Sequence, residues 1–218
     1  MDAEWGWSMA GCEDAIREAA LLAIAAEPDR VRYLEIGVAR GATFGRVCEI
    51  LAAGGKAWDA TAIDLPDGIE EQEGYTRGGA VCLDVPAFEA QTAPFRNHIR
   101  LVRAVSQYWL RDPANIESFS LTLIDGCHER ICTREDFETL ERHVGPGGLV
   151  IFHDTAPWSQ EDPLQIQVHR GHPLQVRLAL EDLSLLPCTR PGWALVREAP
   201  GIQDRQGRGC IVFRRMPA

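Results

Sequence analysis

The stretch Tyr33-Leu34-Glu35-Ile36-Gly37-Val38-Ala39-Arg40-Gly41-Ala42-Thr43 constrains this chain more than any other. An apolar run from Val31 to Ile36 predicts a short strand, and the pattern from Thr43 to Ala53 predicts a helix behind a glycine turn. Gly37 lets the chain leave the strand sharply, and Gly41 lets backbone approach a ligand where a side chain would block it. The first turn of the following helix offers unpaired N–H groups to a carboxylate, a hydroxyl or a phosphate. Such a turn stands at the carboxyl end of a strand, the edge where open α/β sheets bind ligands. The residue two after Gly37 is Ala39, so the dinucleotide fingerprint G-x-G-x-x-G is broken, and the phosphate loop G-x-x-x-x-G-K-[ST] is absent. A tight turn that binds nothing is the plain alternative.

A length of 218 residues with 45% apolar content suits one domain with a substantial core. No apolar run is long enough for a membrane span, and the acidic start Met1-Asp2-Ala3-Glu4 does not resemble a secretory signal. The seven cysteines are odd in number, scattered and without C-x-x-C pairs, which predicts free thiols in a reducing cytoplasm and argues against a zinc site. A net charge of −10 argues against broad nucleic-acid binding. It leaves open a small-molecule substrate and a metal held by carboxylates.

In chain order, Trp5, Trp7 and Met9 are expected to dock on the body of the protein or on a partner subunit, leaving a homodimer open. Residues 11 to 27 read as a helix ended by Pro28-Asp29. Ala57 to Ile63 reads as a second strand delivering Asp64-Leu65-Pro66. A carboxylate there can accept both hydroxyls of a ribose, as does the acid about 20 residues past a Rossmann turn. A turn or cap aspartate is the alternative. Residues 66 to 97 form the least regular stretch, with a weak helix from Val85 to Ala93, and suit a lid or substrate loop. Ile99 to Val105 reads as a third strand, with Ser106 as ligand or cap of a helix over 107–110. Phe119 to Ile124 reads as a fourth strand delivering Asp125-Gly126-Cys127-His128. A helix over 135–143, a turn at Gly145-Pro146-Gly147-Gly148 and a fifth strand from Leu149 to Phe152, ending in His153-Asp154-Thr155, follow. This alternation predicts a parallel sheet with right-handed crossovers. Trp158 and then a helical stretch with His169 and His172 follow, and residues 163 to 183 are expected to cover the sheet and border the substrate pocket. Runs at 184–187, 194–197 and 210–214 predict extended segments with a final antiparallel pair.

Glu35-Ile36-Gly37-x-x-x-Gly41 resembles the first motif of the class I S-adenosylmethionine (SAM)-dependent methyltransferases, whose turn cradles the methionine end of SAM. Ile124-Asp125-Gly126-x-His128, Asp136-Phe137 and the block Val144 to Thr155 look like the small-molecule branch grouped with macrocin O-methyltransferase and cephalosporin hydroxylase-type proteins. The branch usually has Ile-Asp-Gly-Asp-His-x-Tyr, where this chain carries Cys127 and Arg130. It often has Gly-Asp-Ser at the adenine corner, where this chain carries Ala104-Val105-Ser106. The resemblance covers about residues 31 to 156. It implies a Rossmann-like, doubly wound α/β domain with a mostly parallel sheet and an antiparallel final strand. It also implies a SAM site at Glu35, Gly37, Gly41, Asp64, Leu65, Ser106 and Asp125.

Methyl transfer from a sulfonium is an in-line displacement, so the protein must align the partners and take a proton from a hydroxyl acceptor. Asp125 and Asp154, at two strand ends, are candidate ligands for Mg²⁺, which prefers oxygen donors. They could equally be turn and cap residues. His128 is the candidate base, because an ordinary imidazole pKa suits proton removal near neutrality; orienting Asp125 is its alternative role. His153 could instead serve as an inward hydrogen-bonding neighbour, and Cys127 as a small packed residue. Two rivals remain: a SAM-binding relative that does not methylate, and an NAD-dependent oxidoreductase, disfavoured by Ala39. A structural interaction protein would have no reason to bring Asp64, Asp125 and Asp154 to one edge.

Overall fold

The computed structural model describes residues 12–65, 83–115, 117–155, 175–199 and 209–217. The expectations for Trp5, Trp7, Met9, Trp158, His169 and His172, and for the first half of the lid segment, fall outside them. Seven strands form one sheet: β1 (Arg30–Ile36), β2 (Ala57–Asp64), β3 (Ile99–Arg103), β4 (Phe119–Ile124), β5 (Val144–His153), β6 (Trp193–Ala199) and β7 (Cys210–Arg215). Their order is β3-β2-β1-β4-β5-β7-β6. The first five are parallel, and β7 runs antiparallel to both β5 and β6.

Alternation along β1 sets the two layers, because successive side chains on a strand point to opposite faces. Val31 and Tyr33 join the core under α1 (Glu13–Ala26) and α2 (Ala42–Ala53), with Ala19, Phe44 and Leu51. Leu34 and Ile36 join the opposite core under α4 (Ser106–Arg111), α5 (Arg130–Leu140) and α6 (Val176–Asp182), with Phe137, Leu140 and Leu180. Between α2 and α4, α3 (Val85–Thr92) starts at Asp84, whose carboxylate accepts the Ala87 N–H at 3.1 Å. The result is the doubly wound sheet expected. No helix among the described residues is long and apolar enough to cross a membrane.

Three local expectations need correction. The run Gly145-Pro146-Gly147-Gly148 lies inside β5, where the register with β4 jumps between Phe119 and Leu121. Its glycines form an irregularity in the strand instead of a turn before it, because backbone there packs on Ser118 and Phe119 and Gly147 has φ +82°. Residues 184–187 are turns, because the Leu185 and Leu186 N–H groups bond back to the Leu180 carbonyl and close the end of α6. The fifth helix begins at Arg130, before its expected start. Arg130 forms a bidentate ion pair with Asp182 of α6, and its N–H donates to Gln175 Oε1 at 3.1 Å. That departure from the branch pattern is thus a tie between two helices.

Candidate functional site

Strand order reverses between β1 and β4, and their carboxyl ends bound the crevice where such sheets bind ligands. Gly37 has φ +85°. A Cβ on it would lie 2.5 Å from Gly126 Cα and 2.6 Å from the Asp125 carbonyl carbon. Only glycine lets the two strand ends meet this closely. The Gly37 N–H donates to the Ile63 carbonyl at 2.8 Å and the Asp125 N–H to the Ile36 carbonyl at 2.9 Å, tying the ends of β1, β2 and β4 together.

Asp64 ends β2 and turns its carboxylate into the glycine turn. Oδ2 accepts the Val38 and Ala39 N–H groups at 2.9 and 2.7 Å, and Oδ1 accepts the Leu65 N–H at 2.7 Å. Burial raises its pKa, and the three N–H groups oppose the rise. Three of about four acceptor positions are used, leaving about one for a further donor. The amides of the glycine turn, ahead of α2, therefore face an internal carboxylate. Ala39 holds φ +47° to make the turn.

Asp125, His128, His153 and Asp154 form the second half of the edge. His128 Nε2 lies 2.9 Å from Asp154 Oδ2 and 3.6 Å from Asp125 Oδ1. His153 Nδ1 lies 2.9 Å from Asp125 Oδ1 and 3.4 Å from Asp154 Oδ1. Asp154 is fully buried and sits at φ +57°, a left-handed conformation that costs a non-glycine residue on the order of 1 kcal/mol. Burial alone would lower the pKa of both imidazoles. The two carboxylates override it, holding His153 well above its ordinary range and His128 at about 9. Burial would raise both carboxyls, but the histidines hold Asp125 and Asp154 below the usual carboxylate range. His128 therefore carries its proton at neutrality, which corrects the expectation of an ordinary imidazole base.

Asp125, His128 and Asp154 each offer one ligand atom, all within 4.8 Å of one another. Two carboxylate oxygens so placed suit a hard, oxygen-preferring divalent cation.

Other expected cofactor residues stand elsewhere. Glu35 is buried beneath the turn and accepts a hydrogen bond from the Tyr33 hydroxyl. Burial raises its pKa, partly opposed by the Tyr33 hydroxyl. The Cβ that Gly41 lacks would meet Phe88 Cδ2 at 2.7 Å, so the close neighbour at φ +79° is α3. Ser106 is turned inward: its hydroxyl donates to Asp136 Oδ1 at 2.5 Å, beside the Gln107 amide at 2.6 Å. Sequence reasoning missed this Ser106-Gln107-Asp136 group, whose only local trace is an aspartate inside an otherwise helical run; His153 takes the inward hydrogen-bonding place beside Asp125 that the sequence leaves open to it.

With this geometry in hand, comparison with known proteins gives the class. The doubly wound order with an antiparallel β7 is the class I methyltransferase sheet. A family model described as "Methyltransferase domain" matches residues 34–155, more than half the chain, and the chain belongs to that family. Comparison with curated proteins returns no match. Among solved structures, the chain resembles the N-methyltransferase NodS from Bradyrhizobium japonicum, crystallised with S-adenosyl-L-homocysteine. The TM-score is 0.57 at 15% identity, over 99% of this chain and 94% of that one. The O-methyltransferase TomG from Streptomyces achromogenes, involved in tomaymycin synthesis and crystallised with SAM, matches at TM-score 0.57 and 15% identity, over 94% and 80% of the two chains. An O-methyltransferase from Bacillus cereus matches at TM-score 0.59 and 14% identity, over 93% and 80%. At such identities the likeness is one of fold.

Proposed function

We propose that this chain transfers a methyl group from SAM to a hydroxyl of a small molecule, with a divalent cation such as Mg²⁺ at Asp125 and Asp154. The observation that carries the reading is the meeting of the glycine turn, Asp64, Asp125 and Asp154 at one strand edge of a methyltransferase-family sheet. When bound, SAM supplies an electrophilic methyl on sulfur, and the cation supplies positive charge against an acceptor oxygen. The Gly37 turn lets the ends of β1 and β4 meet at the switch point, and the remaining acceptor position of Asp64 would take a ribose hydroxyl. His128 Nε2, which lies between Asp154 and Asp125, is the candidate base: in the fraction of molecules where Nε2 carries no proton it would take the acceptor's, and the N–H so formed donates to Asp154. Natural-product or sugar tailoring is the setting favoured by the resemblance and by the tomaymycin role of TomG.

Calorimetric titration with S-adenosylhomocysteine, with and without Mg²⁺, tests the cofactor. Binding to the wild type and an affinity about 10–100-fold weaker in Asp64→Ala is expected, the range for losing a hydrogen bond to a charged group. No binding in either metal condition would remove SAM from the reading and bring the nicotinamide alternative forward. An acceptor screen follows only from a positive result.

A further inference from the structure

The loop between β4 and α5 and the start of α5 carry a second set of ligand-type side chains beside the Asp/His group. Cys127 Sγ, a Glu129 carboxylate oxygen and Cys132 Sγ all lie within 4.8 Å of one another. Their spacing in sequence, C-x-E-x-x-C, is not a usual metal-ligand pattern, which is why the cysteines read as unpaired and zinc as disfavoured. The fold assembles them. Glu129 is the N-cap of α5 and Cys132 stands in its first turn. The Thr133 hydroxyl donates to the Cys127 carbonyl at 3.2 Å and holds the loop back over the helix start. The two thiols share a hydrogen bond, and the Glu129 N–H reaches the Cys127 sulfur. Both cysteines are half-buried. Glu129 also lines a cleft of about 500 Å³ with Arg130, Arg134 and Gln175, so one member of the group borders open space.

We propose that Cys127, Glu129 and Cys132 bind a Zn²⁺-class cation, distinct from any cation at Asp125 and Asp154. Two thiolates select a borderline-soft metal, and the carboxylate oxygen favours Zn²⁺ over Cu⁺. The two groups differ in donor chemistry: two sulfurs and one carboxylate oxygen here, two carboxylates and an imidazole at Asp125, His128 and Asp154. Three protein ligands leave a fourth tetrahedral position to water. The neighbouring thiol, burial and nearby acids push the Cys132 thiol up, so a bound cation would have to displace its proton. A metal there would pin the loop whose flanks are Asp125 and His128, so the site braces the edge. It does not depend on SAM binding.

The test titrates reduced, full-length protein with Co²⁺, a spectroscopic stand-in for Zn²⁺. The expected result is a thiolate-to-cobalt charge-transfer band that saturates at one equivalent and is abolished by added Zn²⁺. Cys127→Ser and Cys132→Ser should each remove the band, and Glu129→Gln, which keeps both thiols, should weaken cobalt binding about tenfold or more. Cys188→Ser, a thiol elsewhere, and Asp154→Asn should leave the band intact, since cobalt bound by carboxylates alone gives no sulfur transition. Circular dichroism checks that the serine variants fold; if either does not, Glu129→Gln decides. Absence of the band in the reduced wild type, its survival in both serine variants, or unchanged affinity in Glu129→Gln would overturn the proposal.

Discussion

Asp136 has a carboxyl whose charge the fold disfavours. It is 2% exposed, and its hydrogen-bond donors, Ser106 and Gln107, both reach Oδ1. Burial raises its pKa from 3.8 to about 7, partly opposed by the Ser106 hydroxyl. A carboxyl raised in the folded state contributes stability that is fully present below its unfolded value and is lost as pH rises through the folded one. Stability from this group therefore falls from about pH 4 to about pH 7 and is level above. Asp136→Asn keeps an oxygen for both donors and removes the ionisation. Its advantage over the wild type should grow across that window to on the order of 2–4 kcal/mol, read from urea unfolding at several pH values. An advantage that does not change with pH would refute the buried-acid account. His128 gives a prediction of opposite use. Held at about 9 by Asp154 and Asp125 against the effect of burial, it is mostly protonated at neutrality. Without added metal, kcat/KM should climb with pH toward about 9 on a one-proton limb. His128→Asn should flatten that limb and cost about 10²–10⁴ in rate.

At the scale of elements, the glycine turn does more structural work than its motif suggests. A Cβ at Gly37 would drive β1 and β4 apart at their carboxyl ends, on top of the cost of φ +85°. Gly37→Ala should destabilise the fold by about 2–3 kcal/mol and weaken S-adenosylhomocysteine binding, read by thermal unfolding and calorimetry on the same sample. The antiparallel end has its own clamp. Glu141, just past α5, accepts Arg190 Nε at 3.0 Å, Arg190 Nη2 at 2.6 Å and Trp193 Nε1 at 2.7 Å. These bonds fasten the β6–β7 hairpin to the helical layer. Glu141→Ala leaves the Trp193 N–H and a half-buried guanidinium without it and should cost about 1–3 kcal/mol, measured by chemical denaturation. The parallel strands and their terminal acids were legible in the sequence because apolar runs ending in Gly37, Asp64, Asp125 and Asp154 follow the period and punctuation of α/β units. What those acids bond to was not legible. The partners of Asp64 are amides 25 and 26 residues upstream, and Asp154 meets a histidine on the previous strand's exit. Such partners are set by sheet order, which no local pattern encodes. The glycine run in β5 misled for a related reason: glycine marks permissive backbone, whether a turn or a bulge uses it.

Over the whole molecule, 32 acidic residues against 22 lysines and arginines give a net charge of −10, and parallel topology carries three of the acids to one edge. Asp64 is balanced by backbone amides, whereas Asp125 and Asp154 face the imidazoles of His153 and of His128, which holds its proton to about pH 9. A divalent cation at the two carboxylates would replace that proton as the source of positive charge, so metal and proton compete. Mg²⁺ should therefore raise Tm by an amount that increases as pH goes from about 6.5 to about 9, the window over which folded His128 would otherwise keep its proton. The same competition should move the acid limb of kcat/KM to lower pH when Mg²⁺ is added. Because the attraction of a −10 chain for cations is partly long-range, the Tm shift should shrink as salt is raised past about 0.15 M, where the screening length is about 8 Å. Asp154→Asn should lose both effects together. If Mg²⁺ leaves Tm and the limb unmoved at high pH and low salt, Asp125 and Asp154 act as counter-ions to the histidines alone, and methyl transfer would have to proceed with His128 as the unaided base.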